Sequence, residues 1–387
     1  MKEKLAFVIH RFGEGIIGGS ENLCKNYISL LKDKYDIDIL TTTAINHLTW
    51  ENYYKPGIEK KSDFNIFRFK IDKSRNSKFF KLFNFLLFKT DYTILDELEF
   101  IKLQGPYSKD LLYYIKSKAN EYKYFLFFTY LYFNTFFGAQ IVSDKAILVP
   151  TAHEEPMIHF SIYKSLFRSP KGMIFLTESE KQLIHKIMKN SYIKNKVVGM
   201  EINPLINKKE IKIKPLKYKY ILYTGRIEEA KGCDKLIYYF TRYLKETKTN
   251  LKLIFIGKKE MYVPGSKNII YLGRLSDADK NLITKNAEVL IQPSQFESFS
   301  ISTLEAMYYG VPVLVNRLAG PLYEHVKSSK AGFAYSNYDE FKVYLNILLK
   351  NKTLYKTMSV RAKKYVRQKY SRKKVYTNLH SFLTSLK

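Results

Sequence analysis

The sequence predicts an α/β protein made of two doubly wound parallel-sheet domains facing each other across a cleft. Three observations predict it. Short β-branched or aromatic runs alternate with helical stretches from end to end. The strongest runs, Leu5-Ala6-Phe7-Val8-Ile9 and Leu253-Ile254-Phe255-Ile256, are continuous rather than alternating, as in strands covered on both faces. Near the middle, Glu201 to Lys219 breaks the pattern with Pro204, Pro215 and six lysines and reads as a linker.

Each strand is expected where an apolar run of four to eight residues ends at a turn-forming cluster. In the first half these are Lys4–His10, Ile37–Thr42, Asn65–Ile71, Phe125–Tyr130, Ala146–Thr151, Met173–Thr177 and Val197–Met200. In the second half they are Tyr220–Thr224, Lys252–Gly257, Asn268–Leu272, Val289–Pro293, Val313–Asn316 and Gly332–Tyr335. The linker divides a first domain, residues 1–205, from a second that starts at 206. One stretch tests this plan, because Tyr124 to Ser143 is 20 residues without a charge, the length of a membrane span. It contains Asn134, Gln140 and Gly138 and its apolar pattern changes midway, so it reads as a buried strand followed by a core helix.

Composition narrows the function classes. A chain of 387 residues with 46% hydrophobic residues has material for two cores, which excludes a disordered chain. Two cysteines, Cys24 and Cys233, exclude a disulfide scaffold and fit a reducing compartment. The first apolar run, Leu5 to Ile9, is too short for a signal peptide, which points to the cytoplasm. The net charge is +29 and uneven: residues 1–205 carry +8 and residues 206–387 carry +21. Residues 55–90 hold ten Lys/Arg against three acids, with Phe79, Phe80, Phe83, Phe85 and Phe88 interleaved. The tail, 351–387, holds eleven Lys/Arg and no acid. Such runs are either solvated faces or a surface for anionic headgroups. Nucleic acid is not expected, since no zinc-finger spacing, RNA-binding signature or basic zipper accompanies the charge.

Four segments carry chemistry. From Pro293 to Val313 a strand end, Pro293-Ser294-Gln295-Phe296-Glu297-Ser298-Phe299, leads into a helix from about Ser300 to Tyr309, stopped by Gly310 and Pro312. The amides of Phe299, Ser300 and Ile301 would be open donors at that helix start, suited to a phosphate. Glu297 stands in the loop before them, and Glu305, inside the helix, suits a sugar hydroxyl. The second segment, Thr224-Gly225-Arg226-Ile227-Glu228-Glu229-Ala230-Lys231-Gly232, follows a strand and places two cations at its end, as neutralising a diphosphate requires. The third, Gly13-Glu14-Gly15-Ile16-Ile17-Gly18-Gly19-Ser20-Glu21, is a glycine-rich first turn that is not in the register of a dinucleotide fingerprint. The fourth, Thr151-Ala152-His153-Glu154-Glu155-Pro156, sets His153 at the carboxyl end of an apolar strand. His159, six residues on, does not give helical zinc spacing, and Asp36-Ile37-Asp38 opens a strand and reads as structural, so no metal site is expected.

In this order the four segments resemble the retaining glycosyltransferases of family four, which have the two-domain GT-B fold. Glu297 and Glu305 match that family's Glu-x7-Glu motif, continued by Ala306-Met307 and Gly310-Val311-Pro312-Val313. Gly225-Arg226 with Lys231-Gly232 is similar to its diphosphate turn, Gly18-Gly19-Ser20-Glu21 to its glycine loop, and Thr151-Ala152-His153-Glu154 to its histidine strand end. The resemblance implies that Arg226 and Lys231 clamp a pyrophosphate, that Glu305 accepts ribose hydroxyls, and that Glu297 meets the donor sugar. It further implies that His153 touches sugar and acceptor, that Gly19, with Gly18, lies near phosphate and acceptor, and that Gly257 lies near the nucleobase. No cofactor is implied, the donor being a UDP- or GDP-sugar and the two cations replacing a metal. The second domain would then end at 370, with 371–387 a helix returning to the first and bringing the basic tail near the face of residues 55–90. An acceptor glycan or lipid-linked glycan of the cell envelope, and attachment to the anionic inner face of the cytoplasmic membrane, complete the expectation. A nucleotide-sugar epimerase of the same fold and a non-catalytic polyanion- or membrane-binding protein are the alternatives. The family usually has glycine where Ser298 and Ser300 stand, and another glycine after Gly257 where Lys258 and Lys259 follow.

Overall fold

A computed structural model describes residues 2–16 and 18–386. The chain divides into two units, unit 1 being residues 1–200 with 376–387 and unit 2 being Glu201–Val375.

Unit 1 holds an eight-stranded sheet of β1 (Glu3–Val8), β2 (Tyr35–Thr42), β3 (Gly57–Lys60), β4 (Asn65–Phe69), β5 (Tyr124–Phe128), β6 (Ala146–Val149), β7 (Gly172–Phe175) and β8 (Asn195–Val197). Its order is β3-β4-β2-β1-β5-β6-β7-β8, parallel throughout except for the edge pair β3–β4. Strand order reverses between β1 and β5, so the carboxyl ends of those two strands open a crevice within the unit. The uncharged stretch from Tyr124 resolves as β5, all five residues buried, followed by the helix Phe133–Ile141. Among the described residues no helix is long and apolar enough to cross a membrane.

Aromatic side chains dominate the packing of this unit. Phe125, Phe127, Phe133, Phe136, Tyr163 and Phe167 share one cluster with Ile115 and Met173. Fully burying each ring stabilises the fold by about 1.5–3 kcal/mol. Ten of the thirteen expected strands shift by one to three residues at an end. The last strand of this unit is Asn195–Val197 rather than Val197–Met200, and β3 went unforeseen because its Gly-Ile-Glu-Lys sequence has no buried face.

The chain's end returns to unit 1. Tyr124 Oη donates to the Leu386 carbonyl at 2.8 Å, and Phe382 and Leu386 lie against Gly172. Tyr124 and Gly172 open β5 and β7, so residues 376–387 sit at the amino edge of the sheet. The helix Ser77–Leu87 lies at the opposite, carboxyl edge: Ser77 donates to the Leu48 carbonyl beyond β2, and Phe88 stacks on Phe160 beyond β6. Residues 376–387 and the helix Ser77–Leu87 therefore sit at opposite edges of the sheet, which corrects the expectation for that helix, whereas the β3–β4 turn of the 55–90 segment lies at the amino edge.

Unit 2 holds a six-stranded, wholly parallel sheet of β9 (Tyr220–Thr224), β10 (Lys252–Ile256), β11 (Ile269–Tyr271), β12 (Val289–Gln292), β13 (Val313–Asn316) and β14 (Gly332–Tyr335). The order β11-β10-β9-β12-β13-β14 runs outward in both directions from the β9–β12 pair. β9 is fully buried between β10 and β12, with Ile221 level with Leu253 and Val289. Both sheets are thus doubly wound as predicted, and the turns after β9 and β12 emerge side by side at the reversal point.

Candidate functional site

In unit 2 the site is built where β9 and β12 end. Leaving β9, the chain takes Gly225 at φ +151°, and Gly257, the residue after β10, lies directly against it at φ +139°. A Cβ on Gly257 would collide with the Gly225 carbonyl oxygen. The Tyr223 hydroxyl donates to the Arg226 carbonyl at 2.6 Å and so shapes the turn that carries Arg226. The Arg226 guanidinium is half-exposed, 3.3 Å from Glu228, a residue that sequence reading passed over. Burial pushes the Glu228 carboxyl up, Arg226 draws it back, and neighbouring Glu260 pushes it further.

The next loop element meets the turn after β12. Gly232 is left-handed at φ +72°, with the Pro293 carbonyl where a Cβ would stand. This close approach brings Lys231 over the Pro293–Glu297 loop. Its ammonium lies 2.8 Å from Glu297 Oε1 and 3.1 Å from the Phe296 carbonyl. Of its three donors, one is left for a third acceptor.

The helix begins at Ile301, one residue later than expected, because Ser300 is left-handed at φ +62°. A non-glycine residue there costs about 1–3 kcal/mol. The Ser300 hydroxyl holds the conformation through Thr303 Oγ1 at 2.9 Å and Gln292 Nε2 at 3.4 Å. Ser300 therefore adopts the backbone for which a glycine would be the ordinary choice. The amides of Phe299, Ser300 and Ile301 donate to no described residue, so the helix start presents open donors.

Two supports of this loop escaped sequence reading. His325 is fully buried; its Nε2 meets the Phe299 carbonyl at 2.8 Å and its Nδ1 the Tyr365 hydroxyl at 3.0 Å. Burial pulls the imidazole down to about 4 from 6.5, so Nε2–H is the donor to Phe299 at neutral pH. A histidine whose pKa is lower in the folded chain contributes its full stability above pH 6.5 and loses it as pH falls toward 4. His325→Phe is expected to remove an acid-side loss of about 3 kcal/mol, measured as the difference between the two proteins' urea-unfolding free energies across that window. The second support is Lys280, whose ammonium lies 3.1 Å from Glu305 and 3.4 Å from Asp277. Burial pushes the Glu305 carboxyl up and Lys280 draws it partly back. Nothing in the spacing of the Asp277–Lys285 helix marks Lys280 as a partner; only the fold brings it to Glu305.

Unit 1 carries its own cluster where β1, β5 and β6 end. Gly18 precedes the helix Gly19–Leu31, and a Cβ there would strike the Glu21 carboxylate, which folds back beneath the turn. Buried Glu21 accepts from Arg11 Nε at 2.5 Å and lies 3.2 Å from His10 Nε2. Burial works against the Glu21 charge, yet His10 and Arg11 hold the carboxyl down at about 2. Burial also pulls His10 down, leaving it neutral. Ile17, part of the same glycine-rich run, lies outside the described residues. Beside Gly19, Ser20 Oγ is 2.7 Å from Thr129 Oγ1, which accepts from Thr151 Oγ1 at 3.0 Å. Both threonines are left-handed, at φ +67° and +52°.

His153 follows four residues after β6, which ends at Val149 rather than at the expected Thr151. Its Nδ1 lies 3.4 Å from Glu155, which also accepts from the Tyr130 hydroxyl at 2.7 Å. The loop is fixed on both sides by buried carboxylates the sequence did not flag. Glu180 accepts from the Ala152 amide at 2.7 Å, and Glu97 from the Ser161 and Ile162 amides at 3.0 Å. Asp38 proves structural, its carboxylate held by Lys4, Asn65 and Tyr122 at 2.7–2.8 Å.

Comparison with known proteins places these units. Sucrose-phosphate synthase from Thermosynechococcus elongatus superposes with a TM-score of 0.72 over 100% of this chain and 99% of its own, at 12% identity. Anabaena Alr3699/HepE, solved in complex with UDP and glucose, gives 0.67 over 99% and 100% at 15% identity. The fold is that of the GT-B proteins. In sequence, an uncharacterized glycosyltransferase of Methanocaldococcus jannaschii is 30% identical over 196 residues, covering 45% of this chain and 49% of its own. The alpha-1,3/1,6-mannosyltransferase ALG2 of Debaryomyces hansenii is 26% identical over 205 residues, covering 47% and 43%. The chain thus spans about half the length of the curated relatives it matches. The family model of the glycosyl transferases group 1 matches residues 206–365, a stretch that contains every residue of the unit 2 site, from Gly225 and Arg226 to Glu305 and His325.

Proposed function

We propose that the protein transfers a sugar from a UDP- or GDP-sugar to a glycan or lipid-linked acceptor, with retention at the anomeric carbon. The observation that carries the reading is the convergence, at one topological reversal, of Lys231, Arg226 and the open amides of Phe299 to Ile301. Positive charge and unpaired donors at strand ends suit a diphosphate, and the matched family and the UDP-bound neighbour support a nucleotide sugar as its bearer.

In this mechanism the bond between C1 of the sugar and the β-phosphate oxygen breaks while the acceptor oxygen bonds C1 on the same face. The acceptor proton passes to the departing phosphate oxygen. Arg226 and Lys231 stabilise the charge on that diphosphate, so no metal ion is required. Glu305 accepts the ribose hydroxyls, Glu297 orients the donor sugar, and Gly257 lies by the base. His153 contacts the sugar on the acceptor side, with Gly18 and Gly19 near phosphate and acceptor. The acceptor belongs to envelope polysaccharide synthesis, and the enzyme works at the inner face of the cytoplasmic membrane. The test is turnover of UDP- and GDP-sugars with a lipid-extract acceptor, the product anomer being read by NMR. Retained configuration supports the reading; inversion, or donor consumption that ignores the acceptor, overturns it.

A further inference from the structure

We propose that the outward face of the helix Ser77–Leu87 seats unit 1 on an anionic lipid bilayer, at the same sheet edge that carries Gly19 and His153. The inference rests on the peripheral-membrane part of the proposed function and names the surface that serves it.

The helix is capped by Asn76, whose side chain accepts from the amides of Lys78 and Phe79. One side packs inward: Leu87 is buried, Phe80 lies on Phe100 at 5.6 Å, and Phe88 on Phe160 at 5.7 Å. An ordinary surface helix would be polar on the other side. Here that side carries Phe79, Leu82, Phe85 and Leu86, which are 53%, 56%, 59% and 47% exposed. Exposed Lys78, Lys81 and Lys89 accompany them, Lys89 lying over the Phe85 ring. The apolar surface continues along the chain into Ile94 and Leu95, 55% and 72% exposed.

Charge selects the occupant. From Lys73 to Thr90 the chain carries five cations and no acid, Arg75 turning inward to the Leu48 and Gln104 carbonyls and the four lysines remaining exposed. A second copy of this chain would set like charges against like, whereas an anionic headgroup layer with hydrocarbon below it satisfies both features. Position gives the surface its use. Glu97, on the helix Ile94–Gln104, binds Ser161 and Ile162 in the stretch that follows His153. The helix Ile94–Gln104 is therefore fastened to the stretch after His153, and the apolar helix joins it through Phe80 on Phe100 and Phe88 on Phe160, at the carboxyl edge of unit 1. A bilayer seated there lies beside the residues assigned to the acceptor, which suits an acceptor anchored by its own hydrocarbon.

Sedimentation of the full chain with phosphatidylcholine vesicles, with and without phosphatidylglycerol, tests this. The chain is expected to pellet with the anionic vesicles at low salt and to stay in solution with the neutral ones. Changing Lys78, Lys81 and Lys89 together to Gln should weaken binding about 100-fold. A Phe79→Ser, Phe85→Ser double variant should lose it while keeping the wild-type melting temperature, since both rings are solvent-exposed. Equal pelleting of wild type and double variant overturns the inference, as does a wild-type dimer that the double variant dissociates. Nucleoside diphosphate binding by the same proteins separates the two readings. Vesicle binding without nucleotide binding keeps this inference and defeats the transferase, and nucleotide binding without vesicle binding does the reverse.

Discussion

Alanine at Lys231 is expected to lower kcat for sugar transfer about 100- to 1,000-fold, with a smaller change in KM. The proposed role of Lys231 is felt most when negative charge gathers on the departing diphosphate, so its loss falls on the transition state rather than on ground-state binding. Its position is already set: Gly232 abuts the Pro293 carbonyl, and the ammonium is held by Glu297 and the Phe296 carbonyl. The Lys231–Glu297 pair is partly exposed, at 23% and 14%, so breaking it costs about 1 kcal/mol of stability or less. A folded, nearly inactive variant is the expected result. Lys231→Ala with near-wild-type kcat would show that the diphosphate leaves from elsewhere.

Glu305→Gln is expected to raise KM for the nucleotide sugar about 10- to 100-fold, the value of a hydrogen bond to a charged acceptor. It also leaves the Lys280 ammonium with Asp277 as its one remaining carboxylate among the described residues, a loss that a companion change, Lys280→Met, relieves. The double variant should regain thermal stability over Glu305→Gln and keep the raised KM, which separates ligand binding from packing. The pH dependence follows from the carboxyl's environment. Burial has pushed Glu305 up, so it takes a proton at a higher pH than an ordinary glutamate. Donor KM should therefore climb on the acid side from that higher pH, and the climb should vanish in Glu305→Gln. A wild-type KM flat across the acid range would contradict the role.

The strands were legible because a parallel sheet covered on both faces leaves continuous apolar runs. Tyr220–Thr224, Val313–Asn316 and Gly332–Tyr335 match residue for residue. β3 left no such trace, being an exposed edge strand. Of the site, the Glu297–Glu305 spacing and the Gly225–Gly232 turn were visible, since close backbone approaches demand glycine. What the sequence hid are the long-range partners. Lys280 reaches Glu305 across 25 positions, and His325 reaches Phe299 across 26. The phenylalanines of residues 55–90 could not be sorted from composition: Phe80, Phe83 and Phe88 pack inward, while Phe79 and Phe85 do not. Ser300 carries a left-handed backbone without the glycine that would announce it.

In the proposed mechanism the turns after β9 and β12 hold a nucleoside diphosphate. Calorimetric titration of UDP and GDP into wild type, Lys231→Ala and Glu305→Gln tests it most directly. Saturable one-site binding of at least one nucleotide by wild type, weakened in both variants, is the expected result. Absence of binding by wild type, or equal affinity in all three proteins, would contradict it.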